Sequence, residues 1–215
     1  MGSTRLPGKI LESIGGRPLL EHILGRLDTL RTPARTVVAT TKDGRDDVVE
    51  AFCRARPVDC FRGSESDVLE RYFQCARQYG FAHVVRLTAD NPFVDIEELD
   101  RLIELHLSSG NDFTYSFEGL PIGVGAEIFA FAALEESVRK GNEPHHREHV
   151  DEYVLENLAQ FRSGKLDIPL EKSRPQVRLT VDTPDDLAQA RRIAAAASGP
   201  WATTEEAIRL CSGSA

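Results

Sequence analysis

The chain has 215 residues, 41% of them hydrophobic and 7% aromatic, with a formal net charge of −8. That length suits one domain with a sizeable core; the acidic balance argues against a general nucleic-acid binder, and no apolar run approaches the roughly 20 residues of a membrane-spanning helix. No apolar signal segment opens the sequence, and Cys53, Cys60, Cys75 and Cys211 form no C-x-x-C pair, so a cytoplasmic protein with reduced, structural thiols is expected.

Taken in order, the chain opens on Gly2-Ser3-Thr4-Arg5-Leu6-Pro7-Gly8-Lys9. This composition suits an anion, because glycine lets backbone N–H groups turn toward one point while Arg5 and Lys9 supply charge for a polyphosphate. The pattern is not the P-loop of nucleoside triphosphatases: Gly8-Lys9 runs into Ile10, with no Ser or Thr to hold a metal. A mobile basic tail, or a cloning remnant in Met1-Gly2-Ser3, accounts for the composition equally well. Residues 1–36 hold six Lys or Arg against three acids, a local balance of +3 that fits a small polyanion better than a duplex.

Pro18 is placed in the first turn of a helix whose apolar positions are Leu19, Leu20, Ile23, Leu24 and Leu27. A β-branched run at 36–40 reads as a buried strand, Asp46 as a helix start, and 58–61 as a second strand. Ser66 is the expected cap of a helix through Tyr79, stopped by Gly80. The strand at 83–87 leads to the loop 88–92, after which Asp95 caps a helix with Glu98 at the box position and an end near Gly110. Strands are expected at 113–116 and 126–131 around a glycine-rich turn, then a helix over 132–140. A helix over 148–157, strands at 165–168 and 177–181, and a helix over 184–197 complete the pattern, with a further short helix at 203–210 in the tail from Ser198. Alternating strands and helices imply an α/β fold with a mostly parallel sheet and helices on both faces.

Asp90 and Asp182 each fall just beyond the carboxyl end of an expected strand, where open α/β sheets gather ligands. Asp in such a place is by default a turn or cap residue. That default is weakened locally: the helix after Asp90 has its cap in Asp95, and the helix after Asp182 has Thr183, Pro184 and Asp186.

GSTRLPGK followed by LESIGGRPLLEHILGRL resembles the opening of the sugar cytidylyltransferases, most closely the SpsF-type branch of spore-coat polysaccharide biosynthesis. The likeness continues through VVATT at 37–41, FRGSESDVLERY at 61–72, VVRLTADNPFVD at 84–95, REHV at 147–150 and RLTVDTPDDL at 178–187. The resemblance implies a nucleotide-diphospho-sugar transferase fold, a Rossmann-like, GT-A-like three-layer sandwich, and transfer of CMP from CTP to an acidic or related sugar with release of pyrophosphate. It assigns Gly2, Ser3, Thr4, Arg5 and Lys9 to the nucleotide phosphates, and Asp90 and Asp182 to a magnesium ion, for which hard oxygen ligands are suited. Ser64 is assigned to the base and ribose, and Arg86 is an auxiliary phosphate group or simply an ion-pair partner. Gly123, Glu127, Arg147 and His149 are assigned to the sugar, although the glycine-bounded turn reads equally as a plain hairpin. The partners implied are CTP and a small sugar, with no nucleic acid and no membrane; a homodimer stays open.

Two rival readings accompany this one. His145-x-x-Glu148-His149 fits the inverted zinc-peptidase signature, although Pro144 puts His145 at the fraying start of any helix. The other is a nucleotide-binding module of the same fold without turnover. One departure from the family is expected to matter: its members carry a short apolar strand before the phosphate loop, and this sequence begins inside that loop. The expectation is that Met1 is an internal methionine, preceded by roughly ten residues that form a strand of ordinary length.

Overall fold

Short β-branched or aromatic runs alternate with helical stretches along most of this chain, and the computed structural model, which describes residue 2 and residues 5–212, follows that alternation. A 3-10 turn at Lys9–Leu11 leads to a two-residue hairpin, β1 (Ser13–Ile14) with β2 (Arg17–Pro18), and then to helix α1 (Leu19–Leu27). Pro18 stands before the helix as its N-cap residue rather than inside its first turn. Strand β3 (Val37–Thr41) pairs in parallel with β4 (Asp59–Gly63), with α2 (Asp47–Ala55) between them in the chain. Asp46 does precede α2, but its carboxylate turns back to accept hydrogen bonds from the hydroxyls of Thr40 and Thr41.

Helix α3 (Val68–Tyr79) is capped by Asp67, which accepts from the Glu70 amide, and not by Ser66; Gly80 stops it as expected. Strand β5 (His83–Arg86) precedes α4 (Ile96–Ser109), which Asp95 caps through the Glu98 amide. The Glu98 carboxylate goes instead to Arg101 and Lys172, so the reciprocal half of the box is absent. Next come β6 (Phe113–Tyr115), β7 (Glu127–Ala130) and α5 (Phe131–Lys140). The single helix expected over 148–157 is two short ones, α6 (Pro144–Glu148) and α7 (Glu152–Glu156), with the chain extended at His149 between them. Strand β8 (Ser163–Lys165) lies earlier than expected, and 177–181 forms no strand beyond an isolated bridge from Arg178 to Ile122. Helices α8 (Pro184–Ala196) and α9 (Thr204–Ser212) close the described chain.

The α/β class is as expected, but the sheet is mixed rather than mostly parallel. Strands run in the order β5-β7-β6-β8, with β7 antiparallel to both neighbours, while β3 and β4 form a separate parallel pair. The physical reason is the short return from β6 to β7, which has no crossover helix and so reverses direction. Leu19, Ile23, Leu99, Leu102, Leu179 and Ile193 belong to the largest apolar cluster; Leu69, Phe73, Phe113, Phe129 and Leu134 form a second around α3 and α5. The tail is tied down as well. Arg26 donates from Nη2 to the Ala202 carbonyl at 2.8 Å, and Thr204 Oγ1 donates to Asp95 at 2.6 Å. All four cysteines are free, and burial pushes the Cys53 and Cys75 thiols up to about 12 and about 11, consistent with structural thiols.

His106, on α4 and only 1% exposed, lies 2.9 Å from the Thr114 hydroxyl and 3.0 Å from His83. Burial, then the neighbouring His83, lower its pKa to about 4. The unfolded chain therefore binds more protons than the folded one between about pH 6.5 and pH 4, so stability is present above that window and is lost as the pH falls through it. Urea unfolding should show a loss on the order of 2 kcal/mol from about pH 7 to about pH 5, and His106→Gln should remove most of that dependence. An unchanged pH dependence in the variant would assign it to other groups.

Candidate active site

Three segments far apart in sequence meet where β5 and the strand-like run before α8 end. The Asp90 carbonyl accepts from the Val181 amide at 2.9 Å, which stitches the two aspartate segments together through backbone. Lys9 then inserts its ammonium between the side chains, 2.9 Å from Asp90 Oδ2 and 2.8 Å from Asp182 Oδ1. Arg5 lies 3.2 Å from the same Asp182 oxygen, and Arg178 holds the other oxygen. Lys9 is largely covered, its side chain 12% exposed, whereas Arg5 is 63% exposed and free to reach into solvent.

The local scaffold explains why Asp182 is available. Thr183 caps α8 through the Asp186 amide, and Asp186 returns the bond while also accepting from the Asp182 amide at 3.0 Å. The helix is fully capped without the Asp182 carboxylate. Burial works against its charge, but Lys9, Arg5 and Arg178 together hold its pKa below the ordinary carboxylate value. Three cations face the three carboxylates of Asp90, Asp182 and Asp186, so the cluster carries no net charge. A triphosphate entering such a site brings negative charge that these residues leave uncompensated.

Gly123 sets the floor. Its φ is +90°, and a β-carbon there would stand 2.7 Å from Asn91 Oδ1 and 2.8 Å from the Thr180 nitrogen. Only glycine lets this turn approach the segments that carry Asp90 and Asp182. The turn is not a plain hairpin, because Ile122 exchanges backbone hydrogen bonds with Val177 and Leu179. Asn91 donates to the Thr88 hydroxyl, while its own Oδ1 is buried without a partner among the described residues.

The other expected site residues separate into two groups. Arg86 and Glu127 meet in a buried ion pair, with Asp151 3.7 Å from Arg86. Burial pushes the Glu127 carboxyl up to about 7 against the pull of Arg86. Ser64 accepts from the Asp67 amide at 3.1 Å, a bond that shapes the turn into α3. Arg147 donates to the Val138 carbonyl and lies 3.5 Å from Asp67, and His149 sits exposed at the end of α6. Gly2 lies beside Arg45 and Glu65; Ser3 and Thr4 lie outside the described residues. Sequence reasoning missed Arg178 and Asp151. The first was legible in principle, as a cation four residues before Asp182 in the same strand-like run; the second had no local signal.

The zinc-peptidase pattern is not assembled. His145 and His146 both bond Glu156, at 2.7 and 2.8 Å, and Glu148 and His149 join no metal-competent group of three among the described residues. The chain is extended at His149, which takes it off the helical face that His145 occupies. The acidic group Asp95, Glu97 and Glu98 is filled by the Lys172 ammonium at 2.8–3.1 Å.

The cytidylyltransferase family model matches residues 1–208. The spore coat polysaccharide biosynthesis protein SpsF of Bacillus subtilis is 37% identical over 191 residues, covering 86% of this chain and 79% of SpsF. A solved cytidylyltransferase structure from Leptospira borgpetersenii superposes with a TM-score of 0.91 at 32% identity, over 99% of this chain and 90% of that one. The 3-deoxy-manno-octulosonate cytidylyltransferase of Methylococcus capsulatus is 35% identical over 133 residues, 60% of this chain and 49% of its own length.

Substituting Gly123 by Ala should strain the backbone at φ +90° and push Asn91 and Thr180 apart, at a cost of about 1–3 kcal/mol. The check is urea unfolding alongside turnover: both should fall. Unchanged stability would show that the turn yields without disturbing its neighbours.

Proposed function

This chain belongs to the cytidylyltransferase family, and from that premise we propose that it transfers CMP from CTP to an acidic, nonulosonic-type sugar, supplying surface-polysaccharide synthesis from the cytoplasm. It is a CTP-dependent nucleotidyltransferase that acts on a sugar. Its similarity to a 3-deoxy-manno-octulosonate cytidylyltransferase supports the acidic sugar, and its similarity to SpsF supports the polysaccharide. The observation that carries the reading is the Lys9 ammonium held between Asp90 and Asp182.

In such a transfer the sugar hydroxyl oxygen attacks the α-phosphorus of CTP and gives up its proton. A new P–O bond forms as the bond to the bridging oxygen of the β-phosphate breaks, and pyrophosphate leaves. The protein's part is to align these groups and to neutralise charge. Arg5, exposed beside Lys9, meets the departing phosphates, and Lys9 exchanges a carboxylate partner for phosphate oxygen when the nucleotide arrives. Arg178 keeps Asp182 oriented toward the cluster. Asp90 and Asp182 fit a magnesium ion: they are hard oxygen donors, partly exposed, and already converge on one positive charge. Bound there, magnesium would offset phosphate charge and polarise the attacked phosphorus. The Arg86–Glu127 pair, with Gly123, Arg147 and His149, is the proposed sugar side, and Ser64 the nucleoside side.

Pyrophosphate release, measured with each of the four nucleoside triphosphates against nonulosonic and neutral sugars, tests the reading. CTP with an acidic sugar should be turned over; a preference for another triphosphate or for neutral sugars would overturn it. Lys9→Ala should raise KM for CTP at least about tenfold and lower kcat, with the melting temperature moving by no more than a few degrees. A variant that fails to fold would make Lys9 structural instead.

A further inference from the structure

We propose that Lys172 is a positioning residue for the transfer: its ammonium clamps the run ahead of Asp182 to the start of α4, and so fixes how Asp182 stands relative to Asp90. This rests on the reading of those two aspartates as the working pair of the site.

Lys172 is only 4% exposed, yet it carries a charge that the transfer itself does not use. Its Nζ lies 3.1 Å from Asp95 Oδ2, 2.8 Å from Glu97 Oε2 and 3.1 Å from Glu98 Oε1, with Glu205 of α9 at 3.9 Å. Asp95 is the cap of α4, and Glu97 and Glu98 lie in its first turn. Burial works against the lysine's charge, but Glu97, Asp95 and Glu98 hold its pKa above the ordinary value. Its own end of the clamp is stiff, because the Pro169 carbonyl accepts from the amides of both Lys172 and Ser173 at 3.0 Å.

Four links close a ring of chain around the Gly123 turn. The chain runs from Asp90 to Asp95, the ion pair passes from Asp95 to Lys172, the chain runs on to Val181, and the Val181 amide returns to the Asp90 carbonyl at 2.9 Å. The enclosed turn is tied to both sides. The Asp95 amide donates to the Val124 carbonyl at 3.3 Å; the Ile122 amide donates to Val177 at 2.9 Å and its carbonyl accepts from Leu179 at 2.8 Å. Asp90 and Asp182 stand at the backbone closure of this ring, and Lys172 makes the other closure with charge.

Taking that charge away leaves the oxygens of Asp95, Glu97 and Glu98, within 4.8 Å of one another, with two of these residues buried. Their repulsion then drives the start of α4 from the run 172–176, and the Val181–Asp90 bond is left to hold the ring. Apolar packing holds a loop as firmly as a buried ion pair does, but without directing it to one point, so the charge here serves geometry rather than stability alone.

The test is Lys172→Met, which keeps length and removes charge, with Lys172→Arg and Asp182→Asn beside it. Amide hydrogen exchange is followed in protein freed of divalent cations, since the unpaired carboxylates of Lys172→Met attract them. Turnover is followed as pyrophosphate release from CTP with the acceptor sugar that gives the fastest release. In Lys172→Met, exchange at Asp95 and Val181 should speed at least about tenfold while the amides of α3 change less than about threefold. Its kcat should fall at least about tenfold with KM for CTP changed less than about threefold, and Lys172→Arg should lose less of both. Exchange that speeds evenly along the chain, or not at all at Val181, would overturn the proposal. Wild-type kcat in Lys172→Met beside an inactive Asp182→Asn would overturn it alone, whereas wild-type turnover in Asp182→Asn would overturn the reading of the site and this inference with it. Should Lys172→Met fail to fold, the double variant Lys172→Met/Glu98→Gln, which sheds part of the surplus charge, takes its place under the same criteria.

Discussion

One cation between two carboxylates organises this molecule. Lys9, Asp90 and Asp182 are separated by 81 and 92 residues, yet Lys9 Nζ lies within 3 Å of an oxygen of each aspartate. Like charges so close repel unless a cation lies between them, so the scaffold must hold both aspartates against their mutual repulsion. It does so with backbone, through the Val181 amide on the Asp90 carbonyl, and with caps that relieve both aspartates of structural duty.

The same arrangement suits the transfer proposed for this site. Arg5 is exposed, Arg178 is partly exposed and bound to Asp182, and Lys9 is covered, so positive charge is graded from the solvent inward. In the proposed transfer, a nucleotide would meet the exposed Arg5 before the covered Lys9. The cluster's own charge is balanced, which leaves phosphate charge to be offset by something the nucleotide brings, and two converging carboxylates are the donors a hard divalent cation prefers. Gly123 and Asn91 close the other side at a distance only a glycine permits.

Much of this was legible from local chemistry. Gly80 and Gly110 end α3 and α4, Asp95 caps α4, and the Thr183/Asp186 box opens α8, because each signal acts over three or four residues. The convergence of Asp90 and Asp182 followed from their place after strand-like runs. What failed was decided at longer range. The direction of β7 depends on which strands it meets, Val177–Val181 is apolar and β-branched yet finds only a bridge partner, and His149 breaks a helical pattern that continues on both sides of it. Asp46 shows a subtler miss: it sits at the helix start but spends its carboxylate on Thr40 and Thr41. The β1–β2 hairpin was overlooked although Gly15-Gly16, with φ of 57° and 83°, is the two-residue turn that its sequence advertises.

In the proposed transfer, Asp90 and Asp182 act as one cation-binding pair in the presence of nucleotide. Electron paramagnetic resonance of Mn²⁺ titrated into the protein with CTP measures that directly, with Mn²⁺ standing in for magnesium. Asp90→Asn and Asp182→Asn should each weaken Mn²⁺ binding at least about tenfold, because an amide is a much poorer ligand for a hard cation than a carboxylate. Wild-type Mn²⁺ affinity in both variants would contradict the account and leave the two aspartates as partners of Lys9 alone.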